Sequence, residues 1–148
     1  MKFRFLFLVV AIIMSNSAFT QESPEEIIIT FFEKYKDSNS TTALDYLYGK
    51  NKWVNKVSDD ILNIKKQVAS LTEDYVGKYY GYEEILEKKL SDSFILKSYL
   101  VKYERQPLRF TFQFYKPDKE WIVFSFGFDA NLDDEIEEAA KLYRYRLN

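Results

Sequence analysis

The C-terminal half of the chain is marked by alternation of apolar and polar residues. The alternation is strict over residues 108–115 and recurs over residues 122–128. A period of two is typical of β-strands that bury one face. Residues 78–90 and 94–105 are predicted as two earlier strands of the same kind. We therefore expect a four-stranded antiparallel meander.

The N-terminal half instead repeats its apolar residues every three or four positions, which is the spacing of amphipathic helices. Ser23 and Glu26 have the types and the spacing of a capping box, so a first helix is predicted to begin directly after Ser23. A short second helix is predicted with Thr41 or Thr42 as its N-cap and Gly49 as its C-terminal stop.

The longest regular segment is a single apolar stripe in the middle of the chain. Its members alternate steps of three and four residues: Val54, Val57, Ile61, Ile64, Val68, Leu71 and Tyr75. This predicts a helix of about twenty residues, and a helix lying on a sheet is favoured over a coiled coil because strands follow it. A last helix is predicted from Leu132 to about Tyr145, with acidic residues at its start and basic residues at its end, as the helix dipole favours.

Together these elements predict an α+β fold, in which one long amphipathic helix packs on a curved antiparallel sheet. Their order resembles the NTF2-like (cystatin-like) superfamily over residues 24–129. The resemblance rests on the amphipathic helix and on the strands around Tyr80, Tyr99, Phe112 and Phe124. It implies a sheet that wraps around the long helix and leaves a conical cavity. Family enzymes such as ketosteroid isomerases and scytalone dehydratases place acid–base groups in that cone, but this chain has no residue-by-residue match to either.

The first twenty residues have the three-part layout of a secretory signal peptide. Lys2 and Arg4 precede an apolar run from Phe5 to Met14, and Ala18 and Thr20 are placed as a cleavage pair. The run is shorter than the roughly 20 residues of a spanning helix, so no stable membrane anchor is expected. The sequence thus predicts an exported, soluble product, periplasmic or secreted, with residues 21–148 as a single domain.

Composition excludes several classes of site. The chain has no Cys and no His, which rules out cysteine nucleophiles, thiolate or imidazole metal ligands and Ser-His-Asp triads. The formal net charge is −2 and no basic cluster is present, so nucleic acid is not an expected partner. No cofactor is expected.

Tyrosines on the first two strands are the candidate binding groups, because a Tyr ring suits an apolar wall while its hydroxyl seeks a partner. The candidate ligand-binding residues are Tyr80, Tyr82, Tyr99, Tyr103, Arg105 and Glu84. Arg105 could bind an anion at a cavity mouth. The alternative is that these Tyr and Arg side chains decorate an exposed face, with Arg105 against the turn before Pro107.

The pair Glu83-Glu84 disturbs the alternation and indicates a bulge. Glu84 could face an aromatic cavity and serve as an acid. The favoured alternative is that it is solvated at the bulge.

Residues Asp129 to Asp133 imitate the opening of a calcium loop. Position six of that loop is Asp134 instead of Gly, and position twelve is Ala140 instead of Glu. An acidic helix N-terminus is therefore favoured, and no metal site is expected.

We expect an exported non-catalytic domain that binds a small ligand in an aromatic-lined cone or a protein partner on its sheet. The alternative is a cofactor-free isomerase or dehydratase that uses Tyr and Glu as acid–base groups. The resemblance also implies a homodimer through the outer sheet face, although a solvated face explains that pattern equally well. That face carries Arg109, Thr111, Gln113 and Tyr115.

Overall fold

The computed structural model describes residues 22–56 and 58–146, and the predicted signal peptide lies outside these residues. Helices come first, an antiparallel sheet follows, and a last helix ends the chain, so the predicted α+β class is confirmed. The helices are α1 (Pro24–Asp37), α2 (Ser40–Gly49), α3 (Asp59–Ala69), α4 (Glu73–Val76) and α5 (Leu132–Arg146). The strands are β1 (Tyr79–Ser91), β2 (Phe94–Tyr103), β3 (Pro107–Tyr115) and β4 (Ile122–Asp129).

The first two helices are capped by side chains. Ser23 Oγ accepts a hydrogen bond from the Glu26 amide at 3.2 Å, while the Glu26 carboxylate accepts one from the Ser23 amide at 2.7 Å, which confirms the capping box. For α2 the predicted Thr cap is wrong. Asn39 Oδ1 accepts from the Thr42 amide at 2.8 Å, and Asn is the stronger N-cap of the two residue types.

The continuous helix predicted from Val54 to Tyr75 is replaced by α3 and α4, so its predicted extent is wrong. Ser70 ends α3, and its hydroxyl donates to the Gln67 carbonyl at 2.6 Å. Such a bond competes with helix continuation. α3 packs beside α2, and the helix that lies on the sheet is α1.

The sheet has the order β1-β2-β3-β4, with all neighbours antiparallel and without closure into a barrel. The register of β2 and β3 is regular, with Tyr99 opposite Phe110. β1 is irregular, and one of its register shifts falls between Glu84 and Leu86. The predicted bulge is therefore confirmed, one residue farther along the chain. A second shift, between Tyr79 and Gly81, shapes the groove described below.

The core lies between α1 and the inner face of the sheet. Phe31 and Phe32 of α1 are buried against Phe110 and Phe112 of β3. Most of these ring pairs are edge-to-face, the arrangement that aromatic quadrupoles favour. The middle of the inner face, where the resemblance implies a cone, is thus occupied by side chains of α1.

Replacing Gly77 with alanine is expected to lower the free energy of unfolding by about 2 kcal/mol. Gly77 has a φ of +82°, which L-residues adopt at a cost, and a Cβ there would lie 2.7 Å from the Cβ of Glu104. Urea unfolding measures the loss. Gly127→Ala is the matched control, because a Cβ at Gly127 meets no heavy atom within 4 Å, and a change below about 0.5 kcal/mol is expected. Equal losses in the two variants would contradict the strain argument.

Candidate functional site

A groove of about 520 Å³ lies between helix α1 and strand β1, at the edge of the sheet. One wall comes from α1 and the other from the beginning of β1. The lining residues are Ile29, Phe32, Glu33 and Lys36 of α1 and Tyr79, Tyr80, Gly81 and Tyr82 of β1. Aromatic rings dominate the lining, and one acid and one base are its only formal charges.

The register shift at Tyr80 creates this arrangement. In a regular strand Tyr79 and Tyr82 would point to opposite faces. The extra residue between Tyr79 and Gly81 lets both face α1, and Gly81 accepts the positive φ of +114° that the bulge needs. The Tyr79 ring lies 5.7 Å from that of Tyr35, and the Tyr82 ring stacks on Phe32 at 3.7 Å. Tyr80 is left 59% exposed.

The hydroxyls of Tyr79 and Tyr82 are hydrogen-bonding groups rather than acids at neutral pH. Burial raises the pKa of Tyr79 well above its ordinary value. Burial also raises the pKa of Tyr82, and the nearby carboxylates of Glu25 and Glu33 raise it further. Both hydroxyls therefore stay protonated and can donate hydrogen bonds.

Two of the four predicted tyrosines do not line the groove. Tyr99 is 2% exposed and packs against Phe32 and Phe112. Tyr103 is buried as well, and its hydroxyl lies 2.5 Å from that of Tyr35. Burial is the main cause that raises the pKa of each of them. Both rings thus form part of the core beneath the groove.

Glu84 belongs to an ion-pair cluster around Lys97, which we call the Lys97 cluster and define as Lys97, Glu25, Glu84 and Glu87. Lys97 lies on the inner side of β2 with its side chain 7% exposed. Its Nζ is 2.6 Å from Glu25 Oε2, 2.9 Å from Glu84 Oε2 and 3.0 Å from Glu87 Oε2. Tyr99 Oη donates to Glu84 Oε2 at 3.3 Å. The Glu84 side chain is 44% exposed and lies beside the register shift, as the favoured alternative described, and it also pairs with the buried Lys97.

Two opposing causes shift the pKa of Lys97 from its ordinary value. Burial alone would lower it, but hydrogen bonds to Glu25, Glu84 and Glu87 outweigh burial and raise it. Lys97 thus carries its positive charge under α1 and ties the start of that helix to β1 and β2. Sequence reasoning missed this residue. The signal was present, because Lys97 lies two residues from both Ile95 and Tyr99 and therefore shares the apolar face of β2.

Arg105 lies away from the groove, at the turn between β2 and β3. Its Nη1 donates to the Asp74 carbonyl at 2.5 Å, and its amide donates to the Val76 carbonyl at 3.0 Å. Arg105 therefore joins this turn to α4. This is the turn contact that was named above as the alternative to anion binding.

Sequence reasoning also missed the whole α1 wall of the groove. Phe32, Glu33 and Lys36 lie within the predicted first helix, but no local pattern indicates that this helix borders the first strand. Tyr80 and Tyr82 are the predicted site residues that the structure does bring together there.

A second groove, of about 630 Å³, lies between the end of α2 and the loop that joins β3 to β4. Trp53 on its rim is 80% exposed, and Lys52 Nζ lies 5.1 Å from the centre of its ring. Its other charged lining residues are Lys50, Lys119, Asp118 and Glu120. This second groove serves as the control site for experiments on the groove between α1 and β1.

Asp129, the first residue of the calcium-like segment, is used within the protein. Its Oδ2 accepts from Nε and Nη2 of Arg109 at 3.1 and 3.0 Å, and its Oδ1 accepts from the Asn131 amide at 2.8 Å. Within residues 22–56 and 58–146, no group of three or more acidic residues is placed to hold a metal ion.

The outer face of the sheet is more apolar than the β3 residues alone indicated. The Phe94 ring lies 5.4 Å from Phe124 and 6.5 Å from Tyr115 on this face. Arg109, predicted to lie there, pairs with Asp129. The homodimer through this face stays a prediction.

Comparisons with protein-family models, with curated proteins and with solved structures gave no match. The resemblance to the NTF2-like superfamily therefore stays a prediction. Among the helices that the structure describes, none combines the length and apolar character needed to cross a bilayer.

Proposed function

We propose that this protein is an exported, non-catalytic binding domain that takes an extended segment of a partner protein along β1. The observation that carries the proposal is the groove between α1 and the edge strand β1, with tyrosine rings along the wall that β1 forms. A groove bounded by a helix and a sheet edge is the geometry in which peptides add as an extra strand.

The backbone of β1 supports strand addition. Within the described sheet β1 pairs with β2 alone, so half of its backbone N–H and C=O groups face away from the sheet. An extended peptide can bond to these groups without any change in the fold. Main-chain bonds of this kind supply affinity with little sequence selectivity.

The side chains of the groove supply the selectivity. Ile29 and Tyr80 are both exposed and offer apolar surface on its two walls. Glu33 and Lys36 lie one and two helical turns beyond Ile29 on α1 and offer one charge of each sign. The segment expected to fit has apolar side chains at alternate positions, because alternate residues of a strand face the same side.

The groove and its surroundings favour binding over catalysis. The pair that an isomerase or dehydratase would use is Tyr99 with Glu84, whose oxygens are 3.3 Å apart. Tyr99 is buried among rings, and Glu84 is held by Lys97. A substrate cannot reach that hydroxyl without displacing α1, so the acid–base alternative is disfavoured.

The test uses a phage-displayed library of random twelve-residue peptides as the probe. Peptides selected on the purified protein are synthesised, and their affinities are measured by calorimetry. Tyr80→Ala is expected to weaken the best peptide at least about tenfold, or about 1.4 kcal/mol. Trp53→Ala, which removes an exposed ring from the second groove, is the matched control and should leave the affinity unchanged.

A second readout separates strand addition from side-chain binding alone. Methylation of single peptide nitrogens should abolish binding at alternate positions, where the N–H bonds to β1, and spare the positions between. Peptides that bind wild type and Tyr80→Ala equally, or that tolerate methylation everywhere, would contradict the proposal. A co-purified small molecule that fills the groove and excludes every peptide would also contradict it.

A further inference from the structure

The second groove, between the end of α2 and the loop that joins β3 to β4, is held in shape by a buried side chain. Asn51 is 8% exposed. Its Nδ2 donates to the Val123 carbonyl of β4 at 2.9 Å, and its Oδ1 accepts from the Trp53 amide at 3.0 Å. Because Asn51 fixes the backbone at Trp53 to the sheet, the groove is preformed, as ligand sites usually are.

Trp53 places a large apolar ring beside this preformed groove. The residue is 80% exposed, although its amide is tied to Asn51. Lys52 Nζ lies 5.1 Å from the centre of the ring, a cation–π contact that favours the observed position of the indole. The exposed indole is therefore a flat apolar surface that a ligand can cover.

The charged side chains of the groove balance one another in sign. Lys50 is neutralised by its ion pair with Glu22. Four further charged lining residues have no ion-pair or hydrogen-bond partner for their side chains among the described residues: Lys52, Lys119, Asp118 and Glu120. The lining thus offers two ammonium groups and two carboxylates, without a net charge.

This combination of groups favours a neutral ligand with many hydroxyls. An ammonium group can only donate hydrogen bonds and a carboxylate can only accept them, whereas a hydroxyl does both. A strongly charged ligand would be attracted by one pair of groups and repelled by the other. A sugar ring also has a face of C–H groups, whose weak positive partial charge suits the negative face of an aromatic ring.

We infer that the second groove is a carbohydrate site, which binds a short neutral oligosaccharide with one sugar ring stacked on Trp53. The sugar hydroxyls bond to the lysines and carboxylates of the lining. The groove volume of about 630 Å³ lies within the range of about 300–1,000 Å³ that is typical of small-ligand sites. The two grooves share no lining residue, so this inference does not depend on peptide binding at β1.

Fluorescence titration with maltotriose, cellotriose, mannotriose and chitotriose tests the inference. The chain has two tryptophans, so Trp121→Phe leaves Trp53 as the only indole reporter. At least one trisaccharide is expected to shift the Trp53 emission to shorter wavelength, with saturation in the millimolar range or below. Circular dichroism should confirm that the Trp121→Phe protein keeps the wild-type melting curve.

Calorimetry with the best trisaccharide then tests the individual residues. Trp53→Ala is expected to weaken binding at least about tenfold. Tyr80→Ala, which removes an exposed ring from the groove at β1, is the matched control and should leave the affinity unchanged. Asp118→Ala should weaken binding at least about threefold, whereas Asp92→Ala removes a carboxylate in the turn between β1 and β2 and should have no effect.

Salt separates a neutral ligand from an anionic one. Raising the NaCl concentration from about 0.05 to about 0.5 M should change the dissociation constant of the trisaccharide less than about twofold. Failure of every trisaccharide to bind at about 10 mM would overturn the inference, as would binding that Trp53→Ala leaves unchanged. Tighter binding of inorganic phosphate than of any sugar, lost at high salt, would assign the groove to anions and also overturn it.

Discussion

The Phe31→Ala variant is expected to lose about 4 kcal/mol of its free energy of unfolding, the largest loss predicted for any single substitution here. Phe31 is fully buried on α1, and its ring lies 5.2 Å from Phe112 and 5.7 Å from Phe126. Truncation would leave a cavity between helix and sheet that rigid strands cannot close. Domains of this size have total stabilities of about 5–15 kcal/mol, so urea unfolding should detect a large shift or a protein already unfolded.

Two further variants keep this prediction testable. Phe31→Leu retains most of the volume and is expected to cost about 1 kcal/mol, so it should still unfold cooperatively. Ile29→Ala removes an apolar side chain from the exposed side of the same helix and should cost less than about 1 kcal/mol. A loss at Ile29 as large as that at Phe31 would show that the core does not lie beneath the Phe31 face.

The Lys97→Met variant is expected to lose about 3 kcal/mol of free energy of unfolding. Methionine fits the apolar stem of the lysine but removes the positive charge that Glu25, Glu84 and Glu87 share, although Glu87 keeps its ion pair with Lys89 at 3.3 Å. The three carboxylates then repel one another beside the buried Tyr99. Urea unfolding at neutral pH measures the loss.

The pH dependence of this loss is a sharper test than its size. Hydrogen bonds to Lys97 are the main cause that lowers the pKa of Glu87 below its ordinary value. Its contribution to stability is therefore present above the ordinary carboxyl range and is lost as the pH falls through the lowered value. The difference between wild type and Lys97→Met should shrink steadily below about pH 4.5.

Lys102→Met is the control for Lys97→Met. Lys102 pairs with Glu83 on the exposed side of the sheet, and surface pairs contribute about 0–1 kcal/mol. A pH-independent loss at Lys97, or an equal loss at Lys102, would argue against a role for the buried charge.

Strands β2 and β3 were predictable because each of them has one buried and one less buried face. Burial in β3 alternates from Leu108 through Phe110, Phe112 and Phe114, and the sequence has the same period. The capping box at Ser23 was equally predictable, since it depends only on two residue types three positions apart. Both features are local, and local chemistry decides them.

The break between α3 and α4 was not predictable from periodicity. Val68 is buried and Leu71 is partly buried against the same core, so the apolar stripe runs past the end of α3 as if the helix continued, and it ends before Tyr75, which is 65% exposed. Apolar spacing reports which side chains face the core, whereas helix continuity depends on the backbone. The Ser70 side chain, which donates back to the Gln67 carbonyl, lies where the backbone leaves the helix.

The candidate site was only partly predictable for a related reason. Tyr80 and Tyr82 were identified from their residue type and strand position. Tyr99 and Tyr103 have the same type and lie on the next strand, yet α1 covers them. Which tyrosines remain accessible depends on where α1 crosses the sheet. That position is set by tertiary packing and cannot be predicted from a short stretch of sequence.

The irregular edge strand β1 affects how readily the protein aggregates at high concentration. Exposed strand edges seed fibrils when an uncharged segment of about six residues can stack copy upon copy. On β1 the uncharged segment is only Tyr79–Tyr82, bounded by Lys78 before it and Glu83 after it. The bulge at Tyr80 further bends that segment. The short uncharged segment and the bulge both oppose the stacking of copies along β1, so this edge carries less of the amyloid hazard that an open strand edge usually has.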